Sequence, residues 1–339
     1  MSRTGKRGKA KLGRTSIEFK QVETYTFQEL FNIYMFAKEA EGLARRTLEN
    51  KKVYFLVFHR YLEEYHEDVS PNTLDTNTIR AFLYYLKNDH VKHKNNHCVR
   101  EEYKSVGVSV SYINTILKHI RAFYNFLAEE EYVQANPFTK IKSLKEAQDN
   151  IEALSVEQLK ILLKQPKLRT FAGFRDYVLM MLLADTGMRI SEALNLQQED
   201  IDFKTNVIEL KSTNTKNRKI RYVPISHKTS KLLRELLVEI EEFDTLHIFA
   251  TVYGNIIDPA RFRQRLKTYG NNAGIKAVRG SPHTFRHTFA KYYLLNNGDV
   301  MTLQKILGHS SIEMVRKYIN MTNKDILRQH NKYSLINNL

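Results

Sequence analysis

Cysteine occurs once, at Cys98, so no disulfide can close within the chain, and a reducing cytoplasm is the expected compartment. Tryptophan is absent, and glycine and proline are scarce, at 13 and 6 of 339 residues, which points to a helix-rich body. No apolar run approaches the roughly 20 residues that a membrane helix needs. The N-terminus also lacks the apolar core of a signal peptide, so a soluble, cytoplasmic, nucleoid-associated protein is expected. Acid is in short supply: 37 Asp and Glu stand against 53 Lys and Arg, a formal net charge of +16. That imbalance says nothing about fold, but it suits a polyanionic partner. Apolar residues, at 42 %, suffice for ordinary cores, and the length allows two medium domains.

Residues 1–20 carry Arg3, Lys6, Arg7, Lys9, Lys11, Arg14 and Lys20 against Glu18 alone, and read as a basic disordered tail able to contact phosphates. Residues 21–143 read as a helical bundle. Thr26 and Glu29 form a capping-box pattern ahead of the first helix. Tyr54, Phe55, Phe58 and Leu62 mark one face of a second, which starts near Thr47. Asp75 or Thr76 caps a third, with Ile79, Phe82, Leu83 and Leu86 inward. In the fourth, Ile113, Ile116, Leu117, Ile120, Phe123, Tyr124 and Leu127 recur at three- and four-residue steps, and Asn136-Pro137 ends helical structure. Residues 88–108 read as a polar loop. Its His90, His93, His97 and Cys98 fit no common zinc framework, so no metal is expected. Residues 144–152 read as a linker, and 153–339 as a second, mostly helical domain opened by a Ser155/Gln158 capping box. Within it "NVIELKSTNTKNRKIRYVPI" alternates as a β-hairpin or part of a small sheet.

Four segments of the second domain place polar residues where a helix would ordinarily pack. In "LLADTGMRISEALNL", Gly187 supplies a left-handed stop, Arg189 opens the next short helix, and Glu192 is placed to orient its guanidinium. In "GSPHTFRHTFAKYYLLNNG", Ser281 is the N-cap and Pro282 the first helical residue. His283 and Arg286 then share the first turn, where an anion is favoured. His287 lies too far round and reads as structural. In "LQKILGHSSIEMVRKYI", Gly308 closes a helix and His309 sits in the connection. Ser310 and Glu313 box the next helix, which carries Tyr318. The hairpin turn adds Lys211, Lys216, Arg218, Lys219 and Arg221, a setting in which a lysine can serve as proton donor. Attack on a phosphodiester needs cationic donors for the non-bridging oxygens, a nucleophile, and an acid for the leaving oxygen. Two arginines, two histidines, a lysine and a tyrosine meet that need without a metal or other cofactor.

The order Arg189, Lys216, His283-x-x-Arg286, His309, Tyr318 resembles the catalytic set of the tyrosine recombinase (integrase) family. "TGMRISEAL", "HTFRHTFA" and "LGHSSIEMVRKY" are similar to its motif blocks in order and spacing. Val315-Arg316-Lys317 replaces the usual small, Thr-rich run before the tyrosine, and the 88–108 loop is longer than in minimal members. No folded arm-binding domain is expected before residue 21.

The resemblance implies a SAM-like helical core-binding domain over 21–143 and a mixed α/β catalytic domain over 153–339, together a C-shaped clamp on DNA. It implies cleavage and rejoining through a 3′-phosphotyrosine on Tyr318 and a Holliday junction. Arg189, Arg286 and His309 would hold the phosphate, Lys216 would protonate the leaving oxygen, and His283 would assist at the tyrosine. The implied partners are double-stranded recombination sites, a homotetramer whose C-terminal tail docks in trans, and accessory DNA-bending or directionality factors. Integration and excision of a mobile element is the expected job, with Xer-like resolution of chromosome dimers as the alternative. A non-catalytic DNA-binding protein on the same scaffold and a type IB topoisomerase are the readings from other classes.

Overall fold

The computed structural model describes residues 25–91, 105–146, 153–211, 220–275, 281–309, 311–316 and 330. The chain divides into two compact units, Met1–Gln148 and Asp149–Leu339.

Unit 1 is built from α1 (Phe27–Ala40), α2 (Arg45–Tyr65), α3 (Thr76–Asn88) and α4 (Val110–Glu129). Their starts follow local chemistry. Thr26 and Glu29 close a reciprocal capping box, Asp75 accepts from the Thr78 amide, and Ser109 from the Tyr112 amide. Phe27 meets Phe58 edge-on and Phe31 stacks on Phe55, so α1 and α2 run antiparallel. Phe58, Phe82, Phe123 and the whole α4 face expected from periodicity are buried in one aromatic core.

Three details depart from the sequence reading. Tyr54 is only half-buried, while Tyr61 and Lys51 take inward positions. The Lys51 ammonium survives there by donating to the Tyr34 hydroxyl. Helix α4 ends at Glu129, before Asn136-Pro137, because Glu131 adopts φ +60° and the Tyr132 amide folds back on the Leu127 carbonyl at 2.8 Å. The base of the polar loop is closed by a Val91–Val106 bridge. His93, His97 and Cys98 lie outside the described residues, among which no cluster of metal-binding side chains occurs.

Unit 2 is organised on α6 (Phe171–Thr186), which follows α5 (Val156–Leu163) and is buried on nearly every face through Val178, Leu179, Met180, Leu182 and Leu183. Against it pack α8 (His227–Ile240) and α10 (His283–Leu295). The alternating segment forms β2 (Val207–Leu210) and β3 (Arg221–Pro224), joined antiparallel by a two-residue β1 (Ile201–Asp202) in the order β1-β2-β3. Ile208 pairs with Val223 and Leu210 with Arg221, so Ile208, Leu210 and Val223 face the core while Tyr222 faces out. The remaining elements are α7 (Ile190–Leu194), α9 (Pro259–Asn272), α11 (Val300–Leu307) and α12 (Ile312–Arg316). A buried carboxylate ties α6 to α9: Asp176 takes Arg265 at 2.6 Å and the Tyr269 hydroxyl at 3.0 Å. Burial, then the nearby Asp176 charge, pushes the Tyr269 phenol up to about 12. Among the described residues no helix is long and apolar enough to cross a membrane.

Candidate active site

The site is assembled where three short turns of unit 2 converge. The first follows α6. Gly187 stops the helix at φ +62°, a left-handed position that costs an L side chain roughly 1–2 kcal/mol. Its location is also crowded, since a Cβ would come within 2.5 Å of the Phe289 ring and 3.0 Å of Leu307. Arg189 is the residue preceding α7 and has extended backbone angles. Glu192, one turn on and almost wholly buried, accepts from the Arg189 amide at 2.8 Å and from its Nη1 at 2.9 Å. The orienting role expected for Glu192 is thus realised as a two-point contact.

The second turn opens α10. The helix begins at His283 with Pro282 already in helical conformation, and the Ser281 hydroxyl accepts from the His283 amide at 3.3 Å. The start is thus one residue later than expected, with Pro282 rather than Ser281 in the N-cap position. His283 is exposed on the first turn. Arg286 instead runs inward to 2 % exposure, where Nη1 donates to the Gly187 carbonyl at 2.9 Å and Nη2 to the Leu307 carbonyl at 2.7 Å. Burial, reinforced by His283 and Arg286, depresses His287 to about 4, which keeps that ring neutral at ordinary pH.

The third turn follows α11. Gly308 closes the helix at φ +65°, and the His309 amide returns to the Gln304 carbonyl at 3.1 Å. His309 is buried and its Nε2 lies 2.6 Å from Arg286 Nη2. Burial first, then Arg286, Arg189 and Arg221, lower His309 to about 4, so it stands as a neutral imidazole among cations.

Arg221 completes the cluster. Sequence alone groups it with four other hairpin cations and gives it no role of its own. In the structure it forks Glu192, Nη1 to Oε1 at 3.0 Å and Nη2 to Oε2 at 2.6 Å, while Nε donates to the Ile306 carbonyl at 3.0 Å. The Glu192 carboxyl is held below its ordinary range: burial works to raise it, and the Arg221 hydrogen bonds and charge outweigh that, with help from Arg189. Lys211, another hairpin cation, is drawn away into ion pairs with Asp200 at 3.0 Å and Glu199 at 2.5 Å, which raise its pKa. Nothing in the local sequence signalled Arg221, whose partner Glu192 is 29 residues away. Of the expected site residues, Arg189, Arg286 and His309 come together, and His283 stands one turn before Arg286. Lys216 and Tyr318 lie outside the described residues, as do Arg218, Lys219 and Ser310.

The charge count defines the chemistry. Two guanidiniums, Arg189 and Arg221, share one carboxylate, Glu192, and a third, Arg286, lies against a neutral His309. Part of the excess is met by the carbonyls of Ile306 and Leu307, at the negative end of α11. What remains is a cationic pocket with forked donors, suited to a phosphate oxygen or another oxyanion.

A model of the phage integrase family matches residues 152–325. The tyrosine recombinase XerC of Oceanobacillus iheyensis is 30 % identical over 297 residues, covering 82 % of this chain and 94 % of its own. The tyrosine recombinase XerD of Lacticaseibacillus casei is 29 % identical over 297 residues, covering 86 % and 93 %. Among solved structures, the Tn1549 transposon integrase in complex with a circular intermediate DNA superposes with a TM-score of 0.68 at 17 % identity, over 89 % of this chain and 98 % of that one, a likeness of fold.

Proposed function

Because the chain belongs to the phage integrase family and is a site-specific tyrosine recombinase, we propose that Tyr318 cuts DNA by direct attack on the scissile phosphate. The phenolic oxygen forms a bond to phosphorus, and the bond to the 5′ oxygen breaks. The leaving oxygen takes its electron pair and a proton from Lys216, giving a 3′-phosphotyrosine and a free 5′-hydroxyl. The tyrosyl proton passes towards His283. Arg189 and Arg286 donate to the non-bridging oxygens and His309 adds a further donor. The phosphotyrosine conserves the bond energy, so a second 5′-hydroxyl can reverse the attack and rejoin the strand.

The observation that carries this reading is the cluster of part-buried Arg189 and Arg221 on the Glu192 carboxylate beside buried Arg286, which lies against His309. Such a cluster is costly without an anion, and a phosphodiester supplies it. The helical unit 1 would serve as the core-binding domain, with the basic residues of 1–20 adding phosphate contacts. Four protomers on two double-stranded sites would exchange strands through a Holliday junction, each C-terminal tail docking on a neighbour, with accessory factors acting where the sites require bending or directionality. Integration and excision of a mobile element is the preferred job, and the transposon integrase among the structural neighbours supports it. Xer-like resolution of chromosome dimers is the second reading, favoured by the names of the two relatives.

The test is strand exchange between two sites taken from DNA flanking the gene. Recombinant products with transient protein–DNA adducts are expected. Relaxation of supercoils without exchange would instead indicate a topoisomerase, and site binding without any adduct a non-catalytic binder.

A further inference from the structure

We propose that Arg221 is a positioning residue for strand cleavage, which locks Glu192, and through it Arg189, to the turn that presents His309. This rests on the reading above, in which Arg189 and His309 serve the scissile phosphate.

Arg221 spans three pieces of the site at once. Its fork takes both oxygens of Glu192, at 3.0 and 2.6 Å, and Glu192 in turn holds the Arg189 amide and Nη1. Its Nε takes the Ile306 carbonyl, the neighbour of the Leu307 carbonyl that holds Arg286. Its side chain also lies against Gly308, where a Cβ would come within 2.9 Å of Nη1 and 3.0 Å of Cδ. The glycine that turns the chain into His309 is thus also the space through which Arg221 reaches Glu192.

The backbone fixes the other end. Arg221 is the first residue of β3, paired with Leu210 of β2, so the guanidinium is delivered from a sheet rather than from a loose turn. One side chain therefore sets the distance between the Arg189 turn and the His309 turn. A planar five-donor fork does this from three separate nitrogens, whereas a lysine offers a single nitrogen.

The groups facing Glu192 or its pocket are Arg189 on the α6–α7 turn, Arg221 on β3, Arg286 on α10 and His309 after α11. Without Arg221, burial drives the Glu192 carboxyl upward with only Arg189 in direct opposition. Protonated Glu192 no longer fixes the Arg189 guanidinium, so cleavage should fail on the acid side at a higher pH than in the wild type.

The experiment is single-turnover cleavage of a nicked site across about pH 6 to 9, beside gel-shift affinity. It uses the full-length wild type, Arg221→Gln, Arg221→Lys, the double variant Glu192→Gln/Arg221→Gln, and Tyr318→Phe as control. Arg221→Gln should bind DNA with near wild-type affinity, since phosphate contacts elsewhere carry binding. It should cleave about a hundredfold more slowly, as expected for a displaced donor, with its acid limb moved to higher pH. Arg221→Lys should recover part of the rate, and the double variant should lose the shifted limb. Wild-type cleavage by Arg221→Gln overturns the proposal. So does an equal loss at every pH with no recovery in Arg221→Lys, the mark of a merely structural role. Should Arg221→Gln melt below the assay temperature, Arg221→Lys decides: an unchanged rate and profile overturns the proposal, and a slowed rate with a shifted acid limb sustains it. A wild type that forms no adduct, or a Tyr318→Phe variant that does, overturns the underlying reading and this proposal with it.

Discussion

Replacing Gly187 by alanine tests whether the first turn of the site is as tightly determined as its geometry implies. Two costs add. The residue sits at φ +62°, where an L side chain costs roughly 1–2 kcal/mol. Its new methyl would also press on the Phe289 ring at 2.5 Å and on Leu307 at 3.0 Å, an overpacking that typically costs about 1–3 kcal/mol. The sum is about 2–5 kcal/mol. A unit of this size loses roughly 2–4 °C of melting temperature per kcal/mol, so a central value of about 3 kcal/mol lowers the transition by about 6–12 °C. Gly274→Ala in the same unit separates the two costs. Its φ is +67°, but no described atom lies within 4 Å of the added carbon, so only the backbone cost applies. Calorimetry of the full-length variants should show the same transition moving in both, and moving further in Gly187→Ala. The Gly187 carbonyl also receives Arg286 Nη1 at 2.9 Å, so cleavage below the melt should fall more than DNA affinity. A Gly187→Ala protein no less stable than Gly274→Ala would refute the packing described for this turn.

Arg286→Lys cannot serve the Gly187 and Leu307 carbonyls and His309 together. It should lower stability by about 1–3 kcal/mol for an unpaired buried carbonyl and slow cleavage at least about a hundredfold, read by calorimetry and single-turnover assay. His309 titrates near 4 in the fold against an ordinary 6.5, so between these values the unfolded chain binds the extra proton. Its contribution is therefore present above pH 6.5 and lost as the pH falls towards 4, and His309→Gln should flatten the dependence of the melting temperature on pH in that window. Lys216→Ala should cut a normal phosphodiester poorly yet recover on a substrate whose 5′ leaving atom is sulfur, because a thiolate leaves without an acid. Absence of that rescue would remove Lys216 from the proton-donor role.

Much of the fold was legible because its signals are local. Thr26 with Glu29, Ser155 with Gln158, and Asp75 each act within three residues, so sequence alone locates the helix starts. The α4 face follows from periodicity, and the β2–β3 pair from alternation. What escaped is what depends on distant chain. The burial of Lys51 has no local signal, and only the approach of Tyr34 from α1 makes it tolerable. β1 is two residues long and owes its strand character to pairing with β2. Glu131 ends α4 without the glycine that marks the ends of α6 and α11. In the site, Arg189 and Glu192 could be paired from their spacing, because three residues on one helical turn must meet. Arg221 could not, because its link to Glu192 and Ile306 exists only once β3 lies beside α11.

The central claim is that Tyr318 carries the covalent bond, and it is tested most directly by trapping. A nicked recombination site lets the cleaved 5′ fragment diffuse away, so the adduct accumulates and can be digested to a DNA-linked peptide for mass spectrometry. Attachment at Tyr318, with Tyr318→Phe binding the site but forming no adduct, is the predicted result. An adduct formed by Tyr318→Phe at the wild-type level, or a peptide linked through Tyr292, Tyr293 or Tyr333, would contradict it.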